Sequence, residues 1–169
     1  MTTKKGNSSH DPAQLRDPIA QELLHSRILA RLAYVWSDGT PRVIPIAFHW
    51  DGHDMVFGTP PNAPKAHLLK DGSKVAITID SNDMPFKALS IRGIAKVSLI
   101  NGIVPEYVLA CKRYMGEEGG NAWLAQIGQM LAHPKMGGKM LRIAVTPEWV
   151  NILDFQQRFP SAIEAVMAG

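Results

Sequence analysis

The chain has 169 residues, of which 46% are hydrophobic and 20% charged, a composition typical of a folded globular domain and not of a disordered chain. Its single cysteine, Cys111, excludes an intrachain disulfide and a zinc site built from cysteines. The net charge of +3 is mild and the basic residues are scattered, so we expect no nucleic-acid partner.

The first residues predict a tail and a cellular setting. Residues 1–10 are polar and are predicted to be a disordered tail, followed by a single domain over residues 11–169. The tail lacks the apolar stretch of a secretory signal, and no run approaches the ~18 apolar residues of a membrane span. We therefore expect a cytoplasmic protein that has no membrane partner.

The first third of the chain predicts a helix followed by three strands. Between residues 11 and 26, apolar residues recur at helical spacing behind Asp11-Pro12, a typical helix start. Residues 27–36, 41–50 and 55–57 are rich in β-branched and aromatic side chains, and Asp-Gly turns separate them. This pattern predicts an antiparallel meander.

The rest of the chain continues with strands and peripheral helices. In order, we predict a helix at 63–70 capped by Asn62, strands at 74–80 and 87–99 with a bulge at Gly93, helices at 103–115 and 121–132, strands at 139–145 and 149–155, and a terminal helix at 161–168. About seven strands, mostly joined by hairpins, favour a mainly β fold, a closed antiparallel β-barrel with peripheral helices.

The predicted helix at 63–70 begins with a lysine, where helix physics disfavours one. Lys65 lies in the first turn beside Pro64, and the free N–H groups there already attract negative charge. A cation at that place is typical of an anion site, to which the Thr59 hydroxyl would add a donor. The alternative is an ordinary solvated surface lysine.

The segment RVIPIAF, residues 42–48, predicts a second part of the same site. Pro45 cannot donate to a β-ladder, so it belongs at a sheet edge or bulge, where neighbouring backbone groups are free to meet a ligand. Arg42 is a second cation that would reach the same phosphate. The alternative is a surface arginine on a half-exposed strand.

Other reactive side chains do not form a recognisable catalytic or metal motif. The histidines at 49, 53 and 67 lack the spacing of a metal site, so no metal is expected. Cys111 sits among apolar residues and is predicted to be a buried, inert thiol. No hydrolase or phosphate-loop motif is present, and the catalytic residues stay unassigned.

The order of these motifs resembles the pyridoxamine 5′-phosphate oxidase-like, FMN-binding split-barrel superfamily. The resemblance runs from about residue 26 to 99, through RVIPIAF, MVFGT, APKAHLL, KVAITI and LSIRGIAKV. It implies an antiparallel split β-barrel that binds FMN. The cofactor-binding residues that it implies are Arg42, Val43, Ile44, Pro45, Ile46, Ala47, Gly58, Thr59, Pro64 and Lys65.

The resemblance also implies an FMN-dependent oxidoreductase that acts on a small molecule. Such proteins are usually homodimers with the cofactor near the subunit interface. The apolar helix face formed by Trp123, Ile127 and Leu131 is either core or a candidate for that contact.

Several departures from the family argue against pyridoxamine phosphate as the substrate. Pro64 replaces a second basic residue, Ala47 a lysine, and Ala88 a glutamine. The substrate-phosphate motif of tyrosine, arginine and serine at four-residue intervals becomes Tyr107, Cys111 and Met115. Without that arginine, a phosphorylated vitamin loses its main anchor.

Three alternatives stay open. The deazaflavin F420 would use the same phosphate site, with Arg27 or Arg31 contacting its longer anionic tail. A non-catalytic flavin or haem protein is the second alternative, and haem would need a ligand such as His49 or His133. The third is a dimeric barrel whose predicted phosphate site binds no ligand.

Overall fold

Seven antiparallel strands form the sheet of the computed structural model, which describes residues 10–156 and 166–167. The strands are β1 (Ala30–Val35), β2 (Pro41–Ile46), β3 (His49–Trp50), β4 (Met55–Thr59), β5 (Lys74–Asp80), β6 (Lys87–Asn101) and β7 (Lys139–Asp154). The helices are α1 (Pro18–His25), α2 (Pro105–Ala132) and the 3-10 helices Pro12–Arg16, Pro64–His67 and Pro134–Met136. The fold is mainly β, as the sequence predicts.

Two predicted segments lie mostly outside the described residues. These are the N-terminal tail at residues 1–10 and the terminal helix at 161–168. Within the second segment only Val166 and Met167 are described, and both are helical.

The hydrogen-bonded ladder is open at one place. Its strand order is β2-β1-β5-β6-β7-β4-β3, so β2 and β3 stand at its two ends. They follow each other in the chain through Ala47-Phe48, and among the described strands no pairing joins them. The expectation of a closed ladder was therefore wrong. Pro41 and Pro45 explain the gap, because a strand with two prolines lacks the donors for a second partner.

The core lies on the inward face of this sheet, with α1 packed against it. In β5 the alternate residues Val75, Ile77 and Ile79 are buried, which confirms the predicted strand and its inward face. α1 contributes Leu23 and Leu24 to the same cluster. The largest fully buried side chains of the sheet and its loops are Leu32, Phe48, Met55, Phe57, Ile77, Ile79, Leu89, Ile91, Met140 and Ile143.

Proline divides the predicted N-terminal helix and leaves the last strand whole. The helix predicted over 11–26 is two helices, because Asp17 precedes Pro18 and takes an extended conformation. Asp17 then caps α1 by accepting from the Ile19 N–H at 2.9 Å. The strands predicted at 139–145 and 149–155 are one strand, β7, which passes through Pro147.

The bulge predicted at Gly93 is confirmed. The register between β6 and β7 shifts between Arg92 and Gly93, and Gly93 stands opposite Pro147. A Cβ atom on Gly93 would overlap the carbonyl oxygen of Thr146. Glycine is therefore required where the two long strands approach each other most closely.

Candidate functional site

β2 is an edge strand with one backbone donor on its open side. The Trp36 N–H donates to the Thr40 carbonyl at 2.8 Å and sets the hydrogen-bonding phase of the β1–β2 hairpin. The antiparallel alternation then turns the backbone of Pro41, Val43 and Pro45 toward the open edge. Two of these residues are prolines, so Val43 has the single N–H there. The predicted edge position of Pro45 is confirmed.

The side chains of β2 divide between the barrel interior and the outer face. Arg42 pairs with Tyr34, which is buried, and directly opposed residues share a face of the sheet. Val43 lies on the outer face and is 63% exposed. Arg42, Ile44 and Ile46 lie on the face of the core, where Ile46 is buried and Ile44 half-buried but Arg42 is exposed, and the outward set is Pro41, Val43 and Pro45.

Arg42 lies at the start of β2, where its side chain contacts an aromatic ring. Its guanidinium carbon is 5.2 Å from the centroid of the Trp36 ring, a cation–π distance. Within the described residues no hydrogen bond or ion pair joins Arg42 to Thr59 or Lys65. Ala47 lies in the break between β2 and β3, which interrupts the strand predicted at 41–50.

Thr59 ends β4 with a hydroxyl that has no partner. The residue is 1% exposed, and its Oγ1 has no hydrogen-bond partner among the described residues. It shares the inward face of β4 with Met55 and Phe57, both in the core. A buried hydroxyl without a partner costs about 1–3 kcal/mol, so this one fits an acceptor oxygen supplied by a ligand.

The helix predicted at 63–70 is a single 3-10 turn, Pro64–His67. Its cap residue is Ala63, which has no side-chain capping bond, so the assignment of Asn62 as the cap was wrong. Asn62 instead lies inside a turn closed by the Ala63 N–H on the Pro60 carbonyl at 3.1 Å. So short a helix has few aligned peptides, and the dipole argument for an anion at Lys65 therefore weakens.

Lys65 nevertheless has an unusual environment. Its side chain is half-buried, and burial lowers the pKa of the ammonium group. No described carboxylate lies within ion-pair distance of it. Lys65 and Thr59 lie on one stretch of chain, and each offers a hydrogen-bond donor without a protein acceptor. The residues present therefore fit a bound phosphate group.

Gly58 has a structural explanation that involves no ligand. A Cβ atom there would lie 2.8 Å from Met140 Cε and 3.1 Å from Tyr107 Cβ. Glycine thus allows α2 to pack closely against β4.

None of the ten predicted cofactor residues lines either of two clefts formed by the described residues. The larger, about 580 Å³, lies between the first 3-10 helix and the β3–β4 turn. The smaller, about 350 Å³, lies on the outer face around the Gly93 bulge and is lined by Val35, Lys74 and Arg92, among others. The predicted phosphate site therefore lies outside both clefts, with Thr59 buried and Lys65 half-buried.

A hydrogen-bonded histidine lines the larger cleft, and sequence reasoning weighed it only as a metal ligand. His53 Nδ1 lies 2.8 Å from Asp54 Oδ1, which also accepts from Thr146 Oγ1 at 2.7 Å. The sequence feature that could have indicated this cluster is the turn Asp51-Gly-His-Asp54. In this turn, Asp51 Oδ1 accepts the N–H groups of His53 and Asp54. Among the described residues no three His, Cys, Asp or Glu side chains are placed to hold a metal.

The remaining titratable candidates have clear environments. Burial lowers the pKa of His49, and the Arg113 guanidinium lowers it further, so the imidazole is neutral near pH 7. His133 caps the third 3-10 helix by accepting from the Lys135 N–H at 3.3 Å. Cys111 is 2% exposed and burial raises the pKa of its thiol, which confirms the predicted buried cysteine.

No family model and no curated protein matches the chain. Among solved structures, an F420 reductase is 24% identical with a TM-score of 0.57, over 78% of this chain and 94% of its own. A FAD and heme binding protein from Mycobacterium smegmatis is 19% identical with a TM-score of 0.57, over 90% and 78%. The heme storage protein HutZ from Vibrio cholerae is 17% identical with a TM-score of 0.55, over 80% and 93%.

These likenesses, all under 25% identity, show the fold. The chain has the split-barrel fold of these proteins, and the resemblance found in the sequence is confirmed at that level. Within the residues that the structure describes, no helix is both long and apolar enough to cross a membrane.

Proposed function

We propose that residues 11–169 form one flavin-binding domain and that the protein is an FMN-dependent oxidoreductase acting on a small molecule other than pyridoxamine phosphate. The buried Thr59 hydroxyl without a partner, beside the unpaired Lys65, carries this proposal. Bound FMN would supply the hydride or electron transfer, which protein side chains do not perform themselves.

The chain's own residues would hold and orient the cofactor. Thr59 and Lys65 would bind the phosphate, with Arg42 as a second cation from the start of β2. The N–H of Val43 stands alone between two prolines on the open edge, so it would select one acceptor on the rim of the ring. Orientation by backbone groups of an edge strand needs no titratable side chain.

The region matching the family's substrate-phosphate motif supports a different substrate. Tyr107 Oη accepts from Trp123 Nε1 at 2.8 Å, and Cys111 is 2% exposed. The neighbouring cation, Lys112, is paired with Glu117 at 2.6 Å. Lys112 is therefore already neutralised by a carboxylate and is a poor partner for a phosphate ester.

We also propose a homodimer with the cofactor near the subunit interface. The β2 edge is open in a single chain, and Val35 and Val43 on the outer face are 62% and 63% exposed. A second copy on this face would cover those valines and close the site over the cofactor. The helix face of Trp123 is a weaker candidate, because Leu131 at its end is already buried.

Cofactor titration tests the proposal. The purified protein is expected to show flavin absorption near about 375 and 450 nm or, when stripped, to bind FMN saturably. Lys65→Ala and Arg42→Ala should each weaken FMN binding about tenfold or more, because each removes a charged partner of the phosphate. Lys70→Ala removes an exposed lysine nearby and should leave affinity unchanged. If both Lys65→Ala and Arg42→Ala bound FMN with wild-type affinity, these residues would not form the proposed phosphate site.

The same titration separates the alternative cofactors. Binding of F420 but not FMN would favour the deazaflavin alternative, for which Arg27 and Arg31 would contact the tail. Binding of haemin with a Soret band that His49→Ala abolishes would favour a haem protein, since a neutral imidazole is the form that binds iron. Oxidoreductase activity is then tested as substrate-dependent bleaching of the flavin band.

A further inference from the structure

The β1–β2 ladder stops short of where its register would take it. Its last pair is Ala30 with Ile46, and the same register continued by two residues would bring Ile28 opposite Phe48. The hydrogen-bonding phase set at the hairpin turn makes this a pair that would exchange two N–H···O bonds. Among the described residues no backbone hydrogen bond joins the two. The hairpin is therefore open at this end, where the chain passes from β2 to β3.

Side chains occupy the backbone groups that would otherwise close this pair. Tyr114 Oη donates to the Ile28 carbonyl at 2.9 Å, and Arg113 Nη2 donates to the Phe48 carbonyl. The Ile28 N–H donates to Ser26 Oγ at 3.1 Å. Both carbonyl oxygens of the unformed pair are therefore satisfied by consecutive residues of α2.

Arg113 is committed to this corner of the fold. No described carboxylate lies within ion-pair distance of it. Its Nη1 donates at 3.0 Å to the Leu24 carbonyl, which lies in the last turn of α1 and has no partner inside that helix. The guanidinium carbon lies 4.8 Å from the Phe48 ring centroid and 4.9 Å from that of Tyr114, both cation–π distances. Arg113 thus joins α1, α2 and the junction between β2 and β3.

This junction adjoins the strand edge that is proposed to meet the cofactor. Ile46 and Ala47, two of the predicted cofactor residues, directly precede Phe48. β2 stands at one end of the ladder, so β1 is its one partner strand in the described sheet. Beyond Ile46 the position of the chain is set by the buried Phe48 ring and by the hydrogen bond from Arg113.

We propose that Arg113 and Tyr114 are positioning residues for the flavin ring. They fix the end of β2 from α2, so that the backbone of this edge is held in one geometry without either side chain touching the cofactor. The inference rests on the proposed function and extends it, because Arg42, Thr59 and Lys65 would bind the phosphate at the other parts of the site. An edge that is already ordered loses less entropy when it binds a ligand, so loosening it should weaken binding of the ring.

Hydrogen exchange in the protein without ligand tests whether the pair holds β2. Tyr114→Phe removes one hydroxyl and keeps the ring beside Phe48, so the variant should fold. The amides of Ala30 and Ile46 should exchange at least about fivefold faster, whereas those of β5, which is paired on both sides, should not change. The control Tyr107→Phe removes a hydroxyl whose hydrogen bond lies within α2, and it should change neither set. Unchanged exchange at Ile46, or equally faster exchange throughout the sheet, would overturn the proposal.

Riboflavin and FMN separate binding of the ring from binding of the phosphate. Tyr114→Phe should weaken binding of both flavins by the same factor, about threefold or more, and so should Arg113→Lys, which lacks the fork that reaches two carbonyls. Lys65→Ala should weaken binding of FMN alone, because riboflavin has no phosphate. Wild-type affinity of Tyr114→Phe for both flavins, or a loss confined to FMN, would overturn the positioning role. A wild type that binds neither flavin would refute the proposed function, whereas the exchange result alone decides whether the pair holds β2.

Discussion

Lys65 is a cation that folding moves partly out of water without giving it an acidic partner. Burial lowers the pKa of its ammonium group from the usual 10.5, so the folded chain releases that proton before the unfolded chain does. Between the lowered pKa and 10.5, the unfolded state holds more protons. The free energy of unfolding therefore gains a contribution from Lys65 as the pH rises through this window.

Replacing Lys65 with methionine should remove that pH dependence. The free energy of unfolding of Lys65→Met, relative to that of the wild type, should fall as the pH rises from about 8 to about 10.5, because only the wild type gains stability from losing the Lys65 proton. Urea denaturation at both pH values measures it. Lys70→Met, at an exposed lysine, should show a difference that does not change with pH, and the same constancy in Lys65→Met would contradict the prediction.

At the scale of single residues, the sequence indicated which side chains could bind an anion better than it indicated their burial and hydrogen bonds. Arg42, Thr59 and Lys65 stood out as an anion-binding set, but nothing local showed that Thr59 Oγ1 would be buried without a partner. Asp54 Oδ1, which contacts His53 Nδ1, also accepts from Thr146 Oγ1, 92 residues away from Asp54 along the chain. Such contacts arise from strand pairing and are not visible in a local pattern.

Among the elements, α2 has the sharpest backbone irregularity. Gly116 has φ 76° and ψ 174°, a conformation that is open essentially to glycine alone. The helix resumes directly after it, and a Cβ on Gly120 would lie 2.9 Å from Lys112 Cα. The two predicted helices are therefore confirmed, but the break between them is one residue instead of a glycine-rich loop.

Alanine at Gly116 should destabilise the protein by about 1–3 kcal/mol, since the backbone must either adopt a strained conformation or straighten the helix. Gly128, in the second half of α2, has open space around its missing Cβ. Gly128→Ala should leave stability unchanged or raise it by up to ~1 kcal/mol. Thermal or urea unfolding measures the stability of both variants. Equal stability of the two would contradict the prediction, because it would show that alanine adopts the conformation of residue 116 without strain.

Element prediction succeeded where one face is buried and failed where proline was decisive. The alternation of β5 matches its burial because its inward residues all meet the core. Pro18 ends one helix and starts another, whereas Pro147 sits within a 16-residue strand. The difference lies in the partner: Pro147 stands at the bulge opposite Gly93, and the sequence does not specify that pairing.

At the scale of the whole molecule, the exposed valines of the outer face provide a test of the proposed homodimer. Two chains are expected by light scattering, and Val43→Glu should shift the mass toward one chain, because the interface would bury an unpaired carboxylate. Met84→Glu places the same charge at a residue that is 82% exposed, and should remain dimeric. A wild-type mass of one chain, or no effect of Val43→Glu, would refute this interface.

The position of β7 in the ladder has a consequence for the order in which the protein folds. β7 pairs with both β6 and β4, and without it the sheet separates into β2-β1-β5-β6 and the β3–β4 hairpin. Arg42 belongs to the first piece and Thr59 to the second. During synthesis the hairpin must wait about 80 residues for its main partner, a contact of high sequence separation. If the proposed site binds the cofactor, its two parts come together late, and a ribosome-bound chain that ends before residue 139 should not yet bind FMN.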